Sequence, residues 1–438
     1  MSTTTTGGFS AASSRGQRFR RASDIDPAAS KPLSDPLRKP FQKSTTSTME
    51  DNMFRFLVAP TGFKECLDAE AVAAGIRTGI RRVVPAAIVD TVPLIDGGEG
   101  SARTLARSTG GELVRATVTG PVGSPIDSHF ALLGGAEWGT AFVEVAAAAG
   151  LSLVPQGERD PGRTTSRGVG ELIAAALDAG AKKIIVGCGD SGICDGGAGA
   201  LQALGARVLD DSDRDLAPGG ALLRQARRID TDDLDPRLSA VELVVAVNPK
   251  NVLSGRNGVA RVYGPQKGAA PEQVAELAAS MHRWAQLLHQ HSGIDFAAVP
   301  GGGASGGVGA GLAGVLGARL ASRFDVFLKS TDLDLRLRAA DLVITAEGAI
   351  DASTALGKIP AEVARRAKLQ GKPVVALCGT IGPGAETSYD TGIDAYTGIL
   401  TGPVALADAI ASAPELLADA TARTLRMLLV GSTLRPAA

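Results

Sequence analysis

From residue 54 onward, short apolar runs alternate with segments whose apolar positions recur at helical spacing. Residues 54–60, 88–94, 141–145, 183–186, 241–247, 341–345 and 374–378 are rich in Val, Ile, Leu and Ala and run into glycine, proline or acidic turns. Runs of that length and composition predict strands, and their near-continuous apolarity fits strands covered on both faces. Residues 68–83, 101–108, 164–177 and 271–291 carry the helical period, and 404–430 reads as one or two further helices. Strand, loop and helix in alternation predict an α/β fold built on parallel sheets. The first and last thirds share one texture and the centre has another. The expectation is two α/β domains, one discontinuous (residues 53–120 plus 292–438) and a second inserted into it (residues 121–291). Because nearly every glycine-rich loop follows a strand, the loops should converge on an interdomain active-site cleft.

Residues 1–52 break the pattern. They are rich in Ser, Thr, Pro and Arg and lack periodicity, so a disordered extension is expected. Arg15, Arg18, Arg20 and Arg21, with no acid before Asp24, give it a faint likeness to an organelle transit peptide. The preferred reading is a solvated tail, or an upstream start preceding Met49 or Met53, on a cytoplasmic protein.

Composition narrows the function classes. A net charge of −1 supplies no basic field, so neither nucleic acid nor an anionic membrane is an expected partner. No apolar run approaches the roughly 20 residues of a membrane span. The four cysteines (Cys66, Cys188, Cys194 and Cys378) have no CxxC spacing, which argues against a zinc site and for a reducing compartment. Glycine reaches 55 residues, much of it clustered in loops where backbone can approach a ligand.

Those loops carry the candidate chemistry. Residues 183–192 satisfy G-x-G-x-x-G after a strand, with Asp210 about 20 residues on, so a nicotinamide-dependent dehydrogenase must be weighed. Against it, Asp190 and Asp195 would set negative charge against a pyrophosphate, and the helix that follows is short. A Walker loop fails at Leu356-Gly357-Lys358-Ile359, where Ala352 and Ile359 occupy the first-glycine and hydroxyl positions. What recurs instead is carboxylate beside glycine: Asp96 and Glu99, Asp190 and Asp195, Glu347 and Asp351, accompanied by Lys64, Lys267 and Lys358. Phosphoryl transfer needs this mixture, with carboxylates for Mg²⁺, cations for the moving oxygens and backbone N–H groups for phosphate. The attacking alcohol needs a carboxylate to accept its proton. An ordinary Asp-Gly turn explains one such loop more easily than three.

In order along residues 54–438, these motifs resemble the bacterial-type glycerate kinases. The resemblance rests on Ala59-Pro60-Thr61-Gly62-Phe63-Lys64-Glu65-Cys66-Leu67, on Pro93-Leu94-Ile95-Asp96-Gly97-Gly98-Glu99-Gly100, and on Thr164-Thr165-Ser166-Arg167-Gly168-Val169-Gly170-Glu171. It continues through Gly187-Cys188-Gly189-Asp190-Ser191-Gly192-Ile193-Cys194-Asp195-Gly196-Gly197, then Tyr263-Gly264-Pro265-Gln266-Lys267-Gly268, Pro300-Gly301-Gly302-Gly303-Ala304-Ser305-Gly306-Gly307 and Glu347-Gly348-Ala349-Ile350-Asp351 with Gly357-Lys358. It implies a Rossmann-like character for the discontinuous domain, ATP and Mg²⁺ as cofactors, glycerate as small-molecule substrate, and the branch that phosphorylates O2. Phosphorylation at O3, or of a related sugar acid, stays open, as do a homodimer and a non-catalytic sugar-acid sensor. The expected roles are Asp195 as general base and Lys64 as the charge-stabilising catalytic cation. Gly302, Gly303, Gly306, Lys267, Glu347 and Lys358 would serve the nucleotide, and Asp96, Glu99 and Asp351 the metal. Arg256, Arg167, Ser191 and Asn248 would contact the substrate. Arg167 stands where an aromatic is frequent in the family, and could bind a carboxylate in bidentate fashion.

Overall fold

The computed structural model describes residues 53–63, 66–328 and 331–433. The expected disordered extension (1–52) and Lys64 lie outside the described residues.

Two sheets organise the chain. The first has five parallel strands in the order β13-β12-β11-β1-β2, formed by β1 (Arg55–Val58), β2 (Ile88–Thr91), β11 (Leu342–Ile350), β12 (Val374–Ile381) and β13 (Ala395–Gly398). The second has six strands in the order β10-β9-β6-β5-β4-β3. Its members are β3 (Glu112–Thr119), β4 (Pro125–Leu132), β5 (Thr140–Glu144), β6 (Lys183–Gly187), β9 (Glu242–Val247) and β10 (Arg319–Ser322). β3, β4 and β5 pair antiparallel, and β5, β6, β9 and β10 are parallel. A small antiparallel pair, β7 (Arg207–Leu209) and β8 (Arg228–Asp230), stands apart.

Alternation along each central strand explains why both faces are covered. In β1, Leu57 enters one core cluster while Phe56 and Val58 enter the cluster on the opposite face. In β6 and β9, Ile184, Val186, Val245 and Val247 point one way, and Ile185, Val244 and Ala246 the other. Helices pack on both faces because a parallel connection must cross over the sheet. The helix Ala69–Val83 begins where the Asp68 side chain accepts the N–H of Ala71 (2.8 Å).

Several expectations need correction. The strand expected to stop at 345 runs on as β11 to Ile350, so Glu347 stands on a strand opposite Cys378 rather than in a loop. The β3–β4 hairpin escapes the apolar pattern because its faces are half exposed and carry Arg115, Asp127 and His129. The glycine-rich helix Ala304–Leu316 also carries no polar–apolar alternation: its small residues are nearly all buried. The six-stranded sheet draws one strand from before residue 120 and one from after residue 292. β3 pairs with β4, and β10 pairs with β9, so both ends of the six-stranded sheet reach past those residues. Val308 and Leu312 share a core with Leu277 and Trp284, which ties the helix Ala304–Leu316 to the same layer.

In the five-stranded sheet, β1 leads to β2 on one side and β11 leads to β12 on the other. Such a reversal leaves a crevice beyond the carboxyl ends of β1 and β11. The end of β5 and the segments after β6, β9 and β10 bring Glu144, Asp190, Asn248 and Arg323 to the walls of that crevice or directly behind them.

Candidate active site

Two cavities meet in the crevice. The larger, about 560 Å³, is walled by Phe63, Leu67, Leu94, Ile95, Ile399 and Ile410 together with polar groups. The smaller, about 330 Å³, is more polar and is walled by Ser191, Asn248, Tyr263, Lys267, Ser305 and Arg323 among others. Among the described residues, five side chains line both: Asp96, Glu99, Asp190, Glu347 and Lys358. Four carboxylates and an ammonium of those residues therefore stand where the contents of the two cavities would touch.

Backbone packing sets these groups in place. Gly98 lies so close to Asp190 that a Cβ there would fall 2.4 Å from Asp190 Oδ2, and a Cβ at Gly189 would fall 2.6 Å from Gly98 Cα. The two glycine loops thus press backbone to backbone across the junction of the sheets. Of the glycines that imitate a dinucleotide fingerprint, Gly187 and Gly189 serve this contact, whereas Gly192 packs against Leu151 and Val154. Asp190 itself adopts φ +50°, a left-handed conformation that Asp tolerates better than most residues. Its Oδ2 accepts the Glu99 N–H (3.2 Å), while Asp96 Oδ1 accepts the Gly98 N–H (2.9 Å) and Glu99 Oε2 accepts from Ser152 (3.2 Å). On the opposite wall Lys358 Nζ pairs with Glu347 Oε1 (3.1 Å) and lies 3.8 Å from Asp351 Oδ1. Burial works to raise the Asp351 carboxyl, but the Ser353 hydroxyl and N–H, with Lys358, hold it below the usual carboxylate range.

Behind this wall Glu144, at the end of β5, caps the helix Ser101–Thr109 by accepting the N–H groups of Gly100 (3.0 Å) and Ala102 (2.9 Å). Burial pushes its carboxyl up to about 8, against the pull of those two N–H groups.

The sequence-predicted residues divide. Ser191, Asn248, Lys267, Gly303 and Gly306 line the smaller cavity, and Asp351 does so as well. Lys267 is buried and donates to Ser191 Oγ (3.1 Å) and the Ile193 carbonyl (2.6 Å); burial lowers its pKa. Asn248 donates to the Leu356 carbonyl (2.9 Å), tying β9 to the segment that carries Lys358. Gly302 sits one residue behind the wall, with its N–H on the Val299 carbonyl (2.9 Å).

Three expected residues are elsewhere. Asp195, expected as the base, is 1% exposed and lines neither cavity. Its Oδ2 accepts from the Ser166 N–H (2.7 Å), the Ser166 hydroxyl (2.8 Å) and the Gly199 N–H (3.3 Å), and its Oδ1 from the Gly197 N–H (3.2 Å). Burial raises its pKa despite those donors. Arg167 is exposed and pairs with Glu171 one turn along its own helix (3.1 Å). Arg256 is exposed in the loop after β9 and lines neither cavity.

Arg323 is the cation that sequence reading missed. It follows β10 with no glycine or acid motif beside it, and only the β9–β10 pairing carries it to the site. Its side chain is 7% exposed, and it donates to the Gly357 carbonyl (2.6 Å) and more weakly to the Asp96 carbonyl (3.4 Å).

Among the described residues no helix is long and apolar enough to cross a membrane. Among them, too, no group of three or more His, Cys, Asp or Glu side chains forms a ready-made metal site. The junction carboxylates still suit Mg²⁺, which commonly takes one or two protein carboxylates and completes its shell with phosphate and water.

The chain is similar to several known proteins. The sequence profile of the Glycerate kinase family matches residues 56–429. A glycerate kinase from Bacillus subtilis (strain 168) is 42% identical over 369 residues, covering 84% of this chain and 96% of that protein. A glycerate 2-kinase from Escherichia coli (strain K12) is 39% identical over 377 residues, 86% of this chain and 98% of the relative. A crystal structure named for glycerate kinase 2 of Salmonella typhimurium LT2 superposes with a TM-score of 0.68 at 40% identity, covering 87% of this chain and 100% of the other. The protein is thus an α/β kinase acting on a small molecule. It belongs to the glycerate kinase family.

Proposed function

We propose that the protein transfers the γ-phosphoryl group of ATP to O2 of D-glycerate at the junction of the two cavities. The observation that carries this reading is the set of five charged side chains shared by both cavities. The larger, apolar-walled cavity suits an adenosine, and the smaller polar one suits a three-carbon hydroxy-acid. Phosphoryl transfer must occur where they meet, because donor phosphate and acceptor hydroxyl have to lie in line.

Asp190 is the base in this scheme. It borders both cavities, and its Oδ2 accepts the Glu99 N–H, which orients the carboxylate that would take the hydroxyl proton. Lys358, steadied by Glu347, neutralises charge on the moving phosphoryl oxygens. Asp96 and Glu347 are the carboxylates that would hold Mg²⁺, which supplies charge neutralisation across the nucleotide phosphates. Asp195 shapes the loop that presents Asp190 and Ser191. Transfer to O2 is supported by the relative from Escherichia coli described as a glycerate 2-kinase.

The test is incubation with ATP, Mg²⁺ and a panel of hydroxy-acids, with phosphorus NMR to locate the new ester. The expected product is 2-phosphoglycerate. Formation of 3-phosphoglycerate would overturn the O2 assignment, and preference for a four-carbon acid would overturn the substrate.

A further inference from the structure

The chain turns left-handed at three successive residues, Ser305 (φ 49°), Gly306 (φ 72°) and Gly307 (φ 98°), within the N-terminal turn of the helix Ala304–Leu316. A left-handed serine is unusual and costs on the order of 1 kcal/mol, so the surrounding structure must hold it there. The turn is clamped: the Gly306 carbonyl accepts the Gly196 N–H (2.9 Å), and a Cβ at Gly306 would fall 2.1 Å from the Ile193 carbonyl. The N–H groups of Ser305 and Gly306 are committed to no acceptor among the described residues. Successive N–H groups in such a turn form a concavity suited to an anion.

A second observation at the same cavity also points to an anion. Arg323, with its side chain 7% exposed, has an Nε–H without a hydrogen-bond partner among the described residues. Ser305 Oγ is likewise without one. Both residues line the smaller cavity, as does buried Lys267. Cys188 lines the same cavity. Two buried cations therefore line one cavity. The nearest carboxylate to Arg323, Asp96, stands 3.7 Å away, and the two donor bonds of Lys267 go to a hydroxyl and a carbonyl. Buried cationic donors without matched acceptors are costly unless a ligand completes them.

We infer that Arg323, Lys267 and the Ser305–Gly306 turn form a pocket for the substrate's carboxylate, which makes this site select hydroxy-acids over neutral polyols. The inference deepens the phosphotransfer reading and rests on it for the identity of the ligand. A carboxylate seated there leaves the adjacent hydroxyls pointing toward the shared wall of Asp96, Asp190 and Lys358. Arg323 follows β10 of the six-stranded sheet, yet its guanidinium holds the Gly357 carbonyl beside Lys358. The bound carboxylate and the phosphoryl-stabilising lysine are thereby fixed by one side chain.

Calorimetric titration of the nucleotide-free protein with D-glycerate, glyceramide and glycerol tests the pocket directly. D-glycerate should bind at least about 30-fold tighter than the two neutral analogues, as expected when a charge-assisted pair is lost. Arg323→Met should weaken D-glycerate by about 30-fold or more while leaving ADP within about 2-fold. Should that variant fail to fold, Ser305→Gly decides: glycine suits the left-handed backbone, so stability should hold while D-glycerate weakens by about 5-fold. Equal binding of glyceramide and D-glycerate would overturn the pocket. So would an unchanged D-glycerate affinity in both variants, or a parallel loss of ADP. Tight, Arg323-dependent glycerate binding without any phosphorylated product would instead sink the phosphotransfer reading and leave the pocket standing.

Discussion

Replacing Asp195 and Asp190 separately by asparagine distinguishes a brace from a base. Asp195 receives four hydrogen bonds, three of them on Oδ2. Asparagine offers one acceptor oxygen. If that oxygen takes the Oδ2 position, its amide group faces the Gly197 N–H, so one bond is lost to a donor–donor contact. The other three change from charge-assisted to neutral. At roughly 1 kcal/mol for each such change, the loss is about 3–4 kcal/mol. Removing a buried charge returns part of it, since burial is what raises the Asp195 pKa. The expected net cost is about 2 kcal/mol, read as a lower denaturant midpoint at unchanged slope. Asp195→Asn should then keep kcat within about 10-fold once folded, while Asp190→Asn keeps its stability and loses about 10²–10⁴-fold in kcat. Steady-state kinetics beside urea unfolding reads both quantities. The reverse pattern, full stability with a collapsed kcat in Asp195→Asn and near-normal turnover in Asp190→Asn, would refute the assignment.

Glu144 should make stability depend on pH. Its carboxyl is raised from 4.5 to about 8, so the folded state binds the proton more tightly than the unfolded chain. The resulting stability is complete below about pH 4.5 and is lost as pH rises to about 8, a few kcal/mol at most. Glu144→Gln should flatten the urea midpoint across that window, and an unchanged pH profile would contradict it. Gly98→Ala sets a methyl against Asp190 Oδ2. It should cut kcat by at least about 10-fold with little change in the affinity for ADP, and wild-type kcat would show that Asp190 need not stay in place. Chelation by EDTA should abolish turnover and Mg²⁺ restore it, with Glu347→Gln raising the Mg²⁺ needed by about 10-fold; an unaltered requirement would remove Glu347 from the metal.

The sequence by itself determined the α/β class, because strands such as β6 and β9 are covered on both faces and must be apolar throughout. It also marked candidate loops: acids beside glycines at Asp96, Glu99, Asp190 and Glu347 are visible as local patterns, and all four line both cavities. What it could not rank was one acid of a loop against another. Asp190 and Asp195 are five positions apart in one glycine-rich segment. Whether each faces a cavity or the N–H groups of Ser166, Gly197 and Gly199 depends on how distant loops pack. Arg323 shows the same limit from the other side. Its neighbours in sequence carry no signal, and its place follows from β10 pairing with β9, a long-range register. Local pattern records burial and backbone freedom, whereas the direction of a side chain into a shared cavity is fixed only when both sheets are in place.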